Sequence, residues 1–499
     1  MEMDKRRRFT AMIVGSGGNG VGAAIELKNA GMDDFVIISK HADFGGVWVQ
    51  NSYPGCALDD VIMGYQYDFA ITGDWKSTHA SHAEVAAYIQ NVAAEHSLYE
   101  KAHFETELLS AEWDSEENAW SVVTNGGRYL VDFLLPVTGY LEEPIVAQIP
   151  GKESFEGRIF HSASWPDGYT GEGDRIAVVG TGSSALQIVP AMQKVAQQVI
   201  VFQRTPNHIL PLNKRAYSEE EQAEWLTKPD KIAKERAELL AGRDEGWKAV
   251  VLTKGADLTV EIVKIAKDHL ESQVSDPELR EKLTPRHDFA CKRPGASDDF
   301  YRALQERNVE LVAEGAACIE RNAIVSASGL RFEVDTIVLA TGFLFGGSIL
   351  HRIRRRDGRT IGEYQQGRPR AYKSVSVAQC PNLFLVGGAA PNGMTWRGVA
   401  AGTIVTGYAV KAINYMQRQG IRAMEVKESY EIDWKRKADE ILAVSPMVAG
   451  GCINYSQDSE GYNKAAWPGS HANFAETMSE FDETAYDIVS AQEDVEKQD

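Results

Sequence analysis

Short apolar runs end at glycines and give way to helix-forming stretches in an order that occurs twice along this chain. Ala11-Met-Ile-Val14 enters Gly15-Ser-Gly17-Gly-Asn-Gly20, and Val21-Gly-Ala-Ala-Ile-Glu-Leu27 follows with helix-forming composition. Phe35-Val-Ile-Ile38 then predicts a second, parallel strand, so the unit reads strand, loop, helix, strand. The same order returns in Arg175-Ile-Ala-Val-Val179, Gly180-Thr-Gly182-Ser183-Ser184-Ala185, a helix through Val195 and Val199-Ile-Val-Phe202. An α/β protein is expected.

Each glycine loop follows a strand, opens a helix and is followed by a second strand, the context in which GxGxxG carries weight as a dinucleotide motif. Gly15 permits the tight turn, Gly17 lets the backbone approach a pyrophosphate, and Gly20 allows helix to pack on strand. The helix N-terminus then offers unpaired N–H groups and a partial positive charge to the phosphates. In the second copy Ala185 takes the third position, a tolerated change. Two dinucleotide-binding, Rossmann-like domains follow from this pattern.

Between about Tyr217 and Glu281 the composition shifts to Glu, Lys, Ala and Leu with apolar residues at helical spacing, which predicts an all-helical insertion. Strands are expected again at Val309-Glu-Leu-Val312 and Asp335-Thr-Ile-Val-Leu339. The second runs into Ala340-Thr341-Gly342-Phe343, where the chain is expected to cross back to the first domain. Pro381-Asn-Leu-Phe-Leu-Val386 reads as a final core strand, ended by Gly387-Gly388 close to a ligand. The expected division is a first domain from residues 1–148 and 343–499, a second from 149–212 and 286–342, and a helical insertion at 213–285.

The residue that ends the second strand of such a unit selects the nucleotide. In the second unit it is Arg204, followed by Thr205; a guanidinium there grips a 2′-phosphate, which points to NADP(H). In the first unit the equivalent residue is Ser39, where a carboxylate for the ribose is expected, and the nearest cation is Lys40. Ser39 can hydrogen-bond a ribose hydroxyl more weakly than a carboxylate does.

Composition narrows the alternatives. The net charge of −19, from 52 basic and 71 acidic residues, together with the lack of a basic patch, argues against nucleic acid as a partner. Five cysteines, Cys56, Cys291, Cys318, Cys380 and Cys452, are few and widely spaced, and are expected to be reduced thiols in a cytoplasmic protein. Lys5-Arg6-Arg7-Arg8-Phe9 has the outline of a twin-arginine signal, but the apolar run after it stops at Gly15, too early for export. No apolar stretch suits a membrane span. His79 and His82 form a His-x-x-His pair without convergent further ligands, so no metal site is expected. There is no Gly-x-Ser-x-Gly elbow, and no Cys-x-x-Cys for a disulfide reductase built on the same plan. The residues from Ala491 to Asp499 are acidic and polar, as in a frayed tail.

Between the two glycine units lies Phe155-Glu-Gly157-Arg-Ile-Phe-His161-Ser-Ala-Ser-Trp165-Pro166-Asp167. With this run the chain resembles the Baeyer-Villiger monooxygenases, relatives of the flavin-containing monooxygenases, whose fingerprint of Phe, Gly, His, Trp and Pro is matched by Phe155, Gly157, His161, Trp165 and Pro166. Gly45-Gly46-Val-Trp48 with Tyr53-Pro54-Gly55-Cys-Ala-Leu-Asp59 matches a second family signature, and Lys292-Arg293-Pro294 a third. Gly451-Cys-Ile-Asn-Tyr455 through Trp467-Pro468-Gly469 looks like the family's substrate-side segment. One departure stands out: Val61-Ile62-Met63 replaces a Pro-Ser-His found in many members.

The resemblance implies FAD in the first domain, NADPH in the second, and a ketone and dioxygen as substrates. NADPH would reduce the flavin, dioxygen would form a flavin C4a-peroxide, and attack on the ketone would insert oxygen to give an ester or lactone. Arg293 would stabilise negative charge, with Asp59 holding it in place, and His161 would couple nucleotide binding to domain movement. Lys292 would join Arg204 and Thr205 at the 2′-phosphate, Trp48 and Tyr53 would flank the flavin, and Thr341-Gly342 would complete the cofactor contacts. Two alternatives stay open: an N- or S-oxygenase of the same architecture, and a non-catalytic flavin-binding redox sensor. Oligomeric state is not legible.

Overall fold

The computed structural model describes residues 6–139, 141–252, 255–344, 347–387, 398–454, 457–458, 460–464, 467 and 469–489. Lys5, Gly388, Tyr455, Pro468 and the tail from Ala491 to Asp499 lie outside the described residues.

Two sheets organise the chain. The first holds β1 (Arg7–Val14), β2 (Phe35–Ile38), β3 (Ala102–His103), β4 (Leu108–Asp114), β5 (Ala119–Thr124) and β6 (Gly127–Pro136), in the order β3-β2-β1-β6-β5-β4. β1 is parallel to β2, with Ala11 opposite Phe35, and parallel to β6, with Val14 opposite Pro136. The antiparallel β4, β5 and β6 extend this core. β2 is buried at every position, as a central parallel strand covered on both faces must be.

The second sheet is parallel throughout: β7 (Arg158–His161), β8 (Arg175–Val179), β9 (Gln198–Phe202), β10 (Val309–Val312) and β11 (Thr336–Leu339), in the order β10-β9-β8-β11-β7. In each sheet the strand that enters a glycine loop, β1 or β8, is flanked by the following strand on one side and a much later one on the other. Such a switch in strand order opens a crevice at the strand's carboxyl end, and a dinucleotide fits there. The α/β architecture with two Rossmann-like sheets is thus as the sequence pattern predicts.

The first loop opens α1 (Gly18–Asn29), which is buried nearly all round because β1 lies on one side and the helix Ala400–Gln419 on another. The second opens α2 (Ser183–Gln193), also half-apolar and packed on the second sheet. Neither helix has a side-chain cap at its N-terminus, where Gly17 and Gly182 stand, so the first-turn N–H groups face the crevices. Helices Glu219–Thr227, Pro229–Leu252, Asp257–Gln273 and Pro277–Leu283 follow β9; Ser218 and Glu221 close a capping box on the first of them.

Two sequence expectations are corrected. Pro381–Val386 is not a ladder strand: it runs extended beside β6, bonded through Leu134 N–H to Asn382 O, Phe384 N–H to Leu134 O and Val386 N–H to Pro136 O, with a single parallel bridge between Leu134 and Leu383. The cysteines are not all reduced thiols. Cys291 and Cys452 form a disulfide with Cα atoms 6.1 Å apart, because the fold lays Gly450 directly on Cys291 although 161 residues of chain separate the pair. Cys56, Cys318 and Cys380 are free. Among the described residues no helix is long and apolar enough to cross a membrane.

Candidate functional site

The first cradle is a cleft at the carboxyl end of β1. Gly15 sits at φ +127°, and a Cβ there would lie 2.7 Å from the Val137 carbonyl oxygen. At Gly20 a Cβ would come within 2.1 Å of the Gly15 carbonyl oxygen, so the third glycine is demanded by helix-on-strand packing. A Cβ on Gly46, at φ +57°, would lie 2.7 Å from the Gly17 Cα; two glycine backbones pass in contact at the cleft wall. Ser39, Lys40, Gly46 and Trp48 line this cleft with the loop glycines. The Trp48 indole N–H donates to the Tyr65 hydroxyl at 3.0 Å, and His82 Nδ1 lies 3.1 Å from the Trp48 carbonyl oxygen. These contacts fix the indole at the cleft.

The second cradle is built alike. Gly180, at φ +113°, has the Ala340 carbonyl oxygen 2.4 Å from where a Cβ would be. Gly182 differs, since nothing lies within 4 Å of its would-be Cβ. Internal packing therefore does not require glycine at 182, whereas a closely approaching phosphate would. Arg204 is exposed at the end of β9 and Thr205 half-buried beside it. Lys292 reaches the same region: burial first, then the field of Arg204, lowers its pKa. Two cations held this close are suited to a doubly charged anion.

An ion pair stands at the second cradle. Arg293 Nη1 donates to Asp59 Oδ2 at 2.7 Å and Nη2 to Asp59 Oδ1 at 3.0 Å, while Nη1 also reaches the Ser183 hydroxyl at 3.2 Å. Burial alone would raise the Asp59 carboxyl, but the Arg293 guanidinium and the hydrogen bonds to it and to Ser183 outweigh that and hold it below the usual carboxylate range. The Tyr53–Asp59 segment is brought there by a turn at Gly55, φ +85°, whose would-be Cβ lies 2.8 Å from Gln187 O on α2. The Arg293 backbone is held by Asn207, whose Nδ2 donates to the Arg293 carbonyl at 2.8 Å.

His161 ends β7 and sits on the crossing between the sheets. Its Nδ1 accepts the Ala163 N–H at 3.1 Å, so Nε2 carries the proton and donates to the Gly342 carbonyl at 3.0 Å. Burial lowers its pKa against the opposing effect of that bond, so the ring is neutral at pH 7. The crossing strands themselves are tied by Ile145 N–H to Gly342 O at 2.9 Å and by the Thr341 hydroxyl to Ile145 O. Within the fingerprint, a Cβ at Gly157 would meet Asp335 O at 2.2 Å, and Trp165 packs edge-on against Phe160 with its N–H on Tyr169 O.

Tyr53, Thr341 and Gly342 do not line the first cleft. Tyr53 is buried in the core of the second unit, with its hydroxyl donating to Gln187 Oε1 at 3.0 Å, and Ser184 stands beside it. Thr341 and Gly342 belong to the crossing. The Ser39 hydroxyl is also already engaged, 2.7 Å from Ser16 Oγ and accepting the His41 N–H at 3.2 Å. Val61 leads into a short 3-10 turn, Ile62–Gly64, with Ile62 and Met63 in the core, which explains why these residues are apolar. His79 and His82 bind different partners, Thr78 Oγ1 and Trp48 O. Sequence reasoning missed Glu142, which lines the first cleft from the segment after β6; no motif marks it.

Two glycine cradles, the second with a guanidinium–carboxylate pair beside it, define an oxidoreductase with two dinucleotide sites. Residues 12–209 match the family described as pyridine nucleotide-disulphide oxidoreductase. A Baeyer-Villiger monooxygenase of Streptomyces coelicolor is 33% identical over 96% of this chain and 92% of its own length, and one of Pseudomonas aeruginosa is 33% identical over 97% and 92%. The chain belongs to the Baeyer-Villiger monooxygenase family. The closed crystal structure of cyclohexanone monooxygenase superposes with a TM-score of 0.86 at 26% identity, covering 97% of this chain and 100% of that one.

Proposed function

We propose that this enzyme binds FAD in the first cradle and NADPH in the second, and uses them to insert one atom of dioxygen beside a ketone carbonyl, giving an ester or lactone. The observation that carries the reading is the Arg293–Asp59 pair, a fixed positive charge set at the uncapped N-terminus of the second glycine-loop helix, where Arg293 reaches Ser183. FAD and NADP occupy a solved relative of this fold, and further relatives are named as FAD-binding monooxygenases. When bound, FAD supplies hydride acceptance from NADPH and the activation of dioxygen.

The chain's own residues supply binding, orientation and charge. Arg204 and Lys292 take the 2′-phosphate, with Thr205 beside them. Arg293 stabilises the negative charge that develops on the reacting oxygens, since a guanidinium keeps its proton at any working pH. Asp59 restricts it to one orientation and, as a carboxylate, partly offsets its charge until substrate arrives. His161 joins the fingerprint strand to the Gly342 crossing and so transmits nucleotide binding to the geometry between the units. It is a positioning residue.

The test is product analysis. Purified enzyme with NADPH, labelled dioxygen and a mixed panel of ketones and sulfides is expected to give singly labelled esters or lactones. Labelled sulfoxides without any ester would assign a heteroatom oxygenase, and a flavoprotein that consumes no NADPH with any substrate would remove the catalytic reading.

A further inference from the structure

The strand end that should present a carboxylate to the FAD ribose carries Ser39, and the Ser39 hydroxyl is spent inside the protein. Ser16 Oγ donates to Asp43 O at 3.0 Å, so the 2.7 Å contact between the two serines uses the Ser39 proton, and the His41 N–H occupies a Ser39 lone pair. Ser39 is 4% exposed. A ribose arriving there finds no strong acceptor on residue 39.

A carboxylate does enter the cleft, from the other side of β1. Glu142 follows β6, and its backbone carbonyl is fixed by Gln50 Nε2 at 3.2 Å. Its Oε1 pairs at 2.9 Å with the ammonium of Lys40, the residue next to Ser39. His41 feels both charges, being pushed down by burial and Lys40 and up by Glu142, which puts the carboxylate at the ribose end of the cleft. Glu142 Oε2 is buried and has no hydrogen-bond partner. A buried carboxylate oxygen left unpaired costs free energy, so a donor arriving with a ligand is strongly favoured.

Resting on the FAD reading above, we infer that Glu142 replaces the missing strand-end carboxylate: its Oε2 accepts the hydroxyls of the adenosine ribose of FAD, while Lys40 holds the side chain in place through Oε1. Glu142 is therefore a binding residue for the adenosine half of the cofactor, reached from a different strand.

The experiment compares flavin binding, by fluorescence on dilution of holoenzyme and on reconstitution, in the wild type and Glu142→Gln, with FAD and with FMN, which lacks the adenosine. Glu142→Gln is expected to weaken FAD by roughly 10- to 100-fold, the range for loss of a hydrogen bond to a charged acceptor, and to leave FMN unchanged. Thermal melting of both apoproteins checks that the variant folds. FAD binding equal to wild type, or equal losses for FAD and FMN, overturns the assignment. A wild type that binds no flavin at all overturns the FAD reading instead. Glu142→Asp, which keeps the charge on a shorter stem, is expected to recover part of the FAD affinity and none if the carboxylate only shapes the cleft.

Discussion

Arg293 and Asp59, separated by 234 residues, face each other in a two-bond fork of 2.7 and 3.0 Å, with the guanidinium also touching Ser183 at the start of α2. One side chain thus bridges the Tyr53–Asp59 turn, the second glycine loop and the Lys292-Arg293 segment. Arg293→Ala should slow ester formation by about a hundredfold, as expected for loss of one preorganised charge stabiliser. Hydride transfer needs no such charge and should fall much less, so NADPH oxidation should yield hydrogen peroxide in place of ester. Ester and peroxide counted per NADPH decide the matter; tightly coupled ester production near the wild-type rate would move the charge-stabilising role elsewhere.

On the proposed reading, coenzyme choice follows from Arg204 and Lys292. Arg204→Ala should weaken NADPH use by about 1.5 to 3 kcal/mol in kcat/KM and leave NADH nearly unaltered. Lys292 adds a pH dependence. Its pKa is lowered, so in free enzyme it loses its proton below the usual lysine range, and the 2′-phosphate prefers it protonated. KM for NADPH should therefore climb as pH rises through the alkaline range while KM for NADH stays level. Parallel curves for the two coenzymes would place neither cation at the phosphate.

Much of the frame is legible in sequence because its determinants are local. Gly15, Gly20 and Gly180 are forced by contacts with backbone oxygens of the same motif or an adjoining strand, and apolar periodicity marks β1, β2, β8 and β9. What was illegible depends on distant chain. Tyr53 looks like a flavin neighbour within its motif, yet Gln187 draws its hydroxyl into the second unit. Pro381–Val386 has a strand's composition, but its partner β6 accepts only a short run of bonds. Glu142 carries no signature at all, since its role arises from Lys40 and an occupied Ser39. Arg293 and Asp59 were legible only through family motifs, for nothing in their spacing announces a pair.

Histidines should set the acid side of the stability profile. His41, His79, His103, His161 and His208 are all shifted down with burial as the leading cause, and His287 falls to about 4. Folded-state values below the unfolded one of about 6.5 mean that the unfolded chain takes up more protons as pH drops. Stability is then fully present above about pH 6.5 and is lost as pH falls through the lowered values. Tm should decline as pH falls below 6.5, opposed in part by Glu431, whose carboxyl burial raises to about 7 and which therefore takes up its proton more readily in the folded chain. His161→Gln, which keeps an amide N–H for Gly342 O, should make that decline shallower; an unchanged slope would show that His161 does not titrate against folding.

The disulfide gives the last prediction. Cys291 directly precedes Lys292 and Arg293, and Cys452 lies just after the Gly450 whose carbonyl accepts the Asp288 N–H at 3.0 Å. The bridge therefore ties the segment carrying Arg293 to the C-terminal part of the chain. Closing so long a loop is worth about 2–4 kcal/mol when oxidised. Cys452→Ser should lower Tm under non-reducing conditions, whereas in dithiothreitol wild type and variant should melt together. Because Arg293 remains bonded to Asp59 and Ser183 without the bridge, ester production should persist in reduced enzyme, with more peroxide per NADPH as the segment loosens. If dithiothreitol changes neither the wild-type Tm nor its coupling, the two sulfurs are not bonded in the working protein and the segment is held by its hydrogen bonds alone.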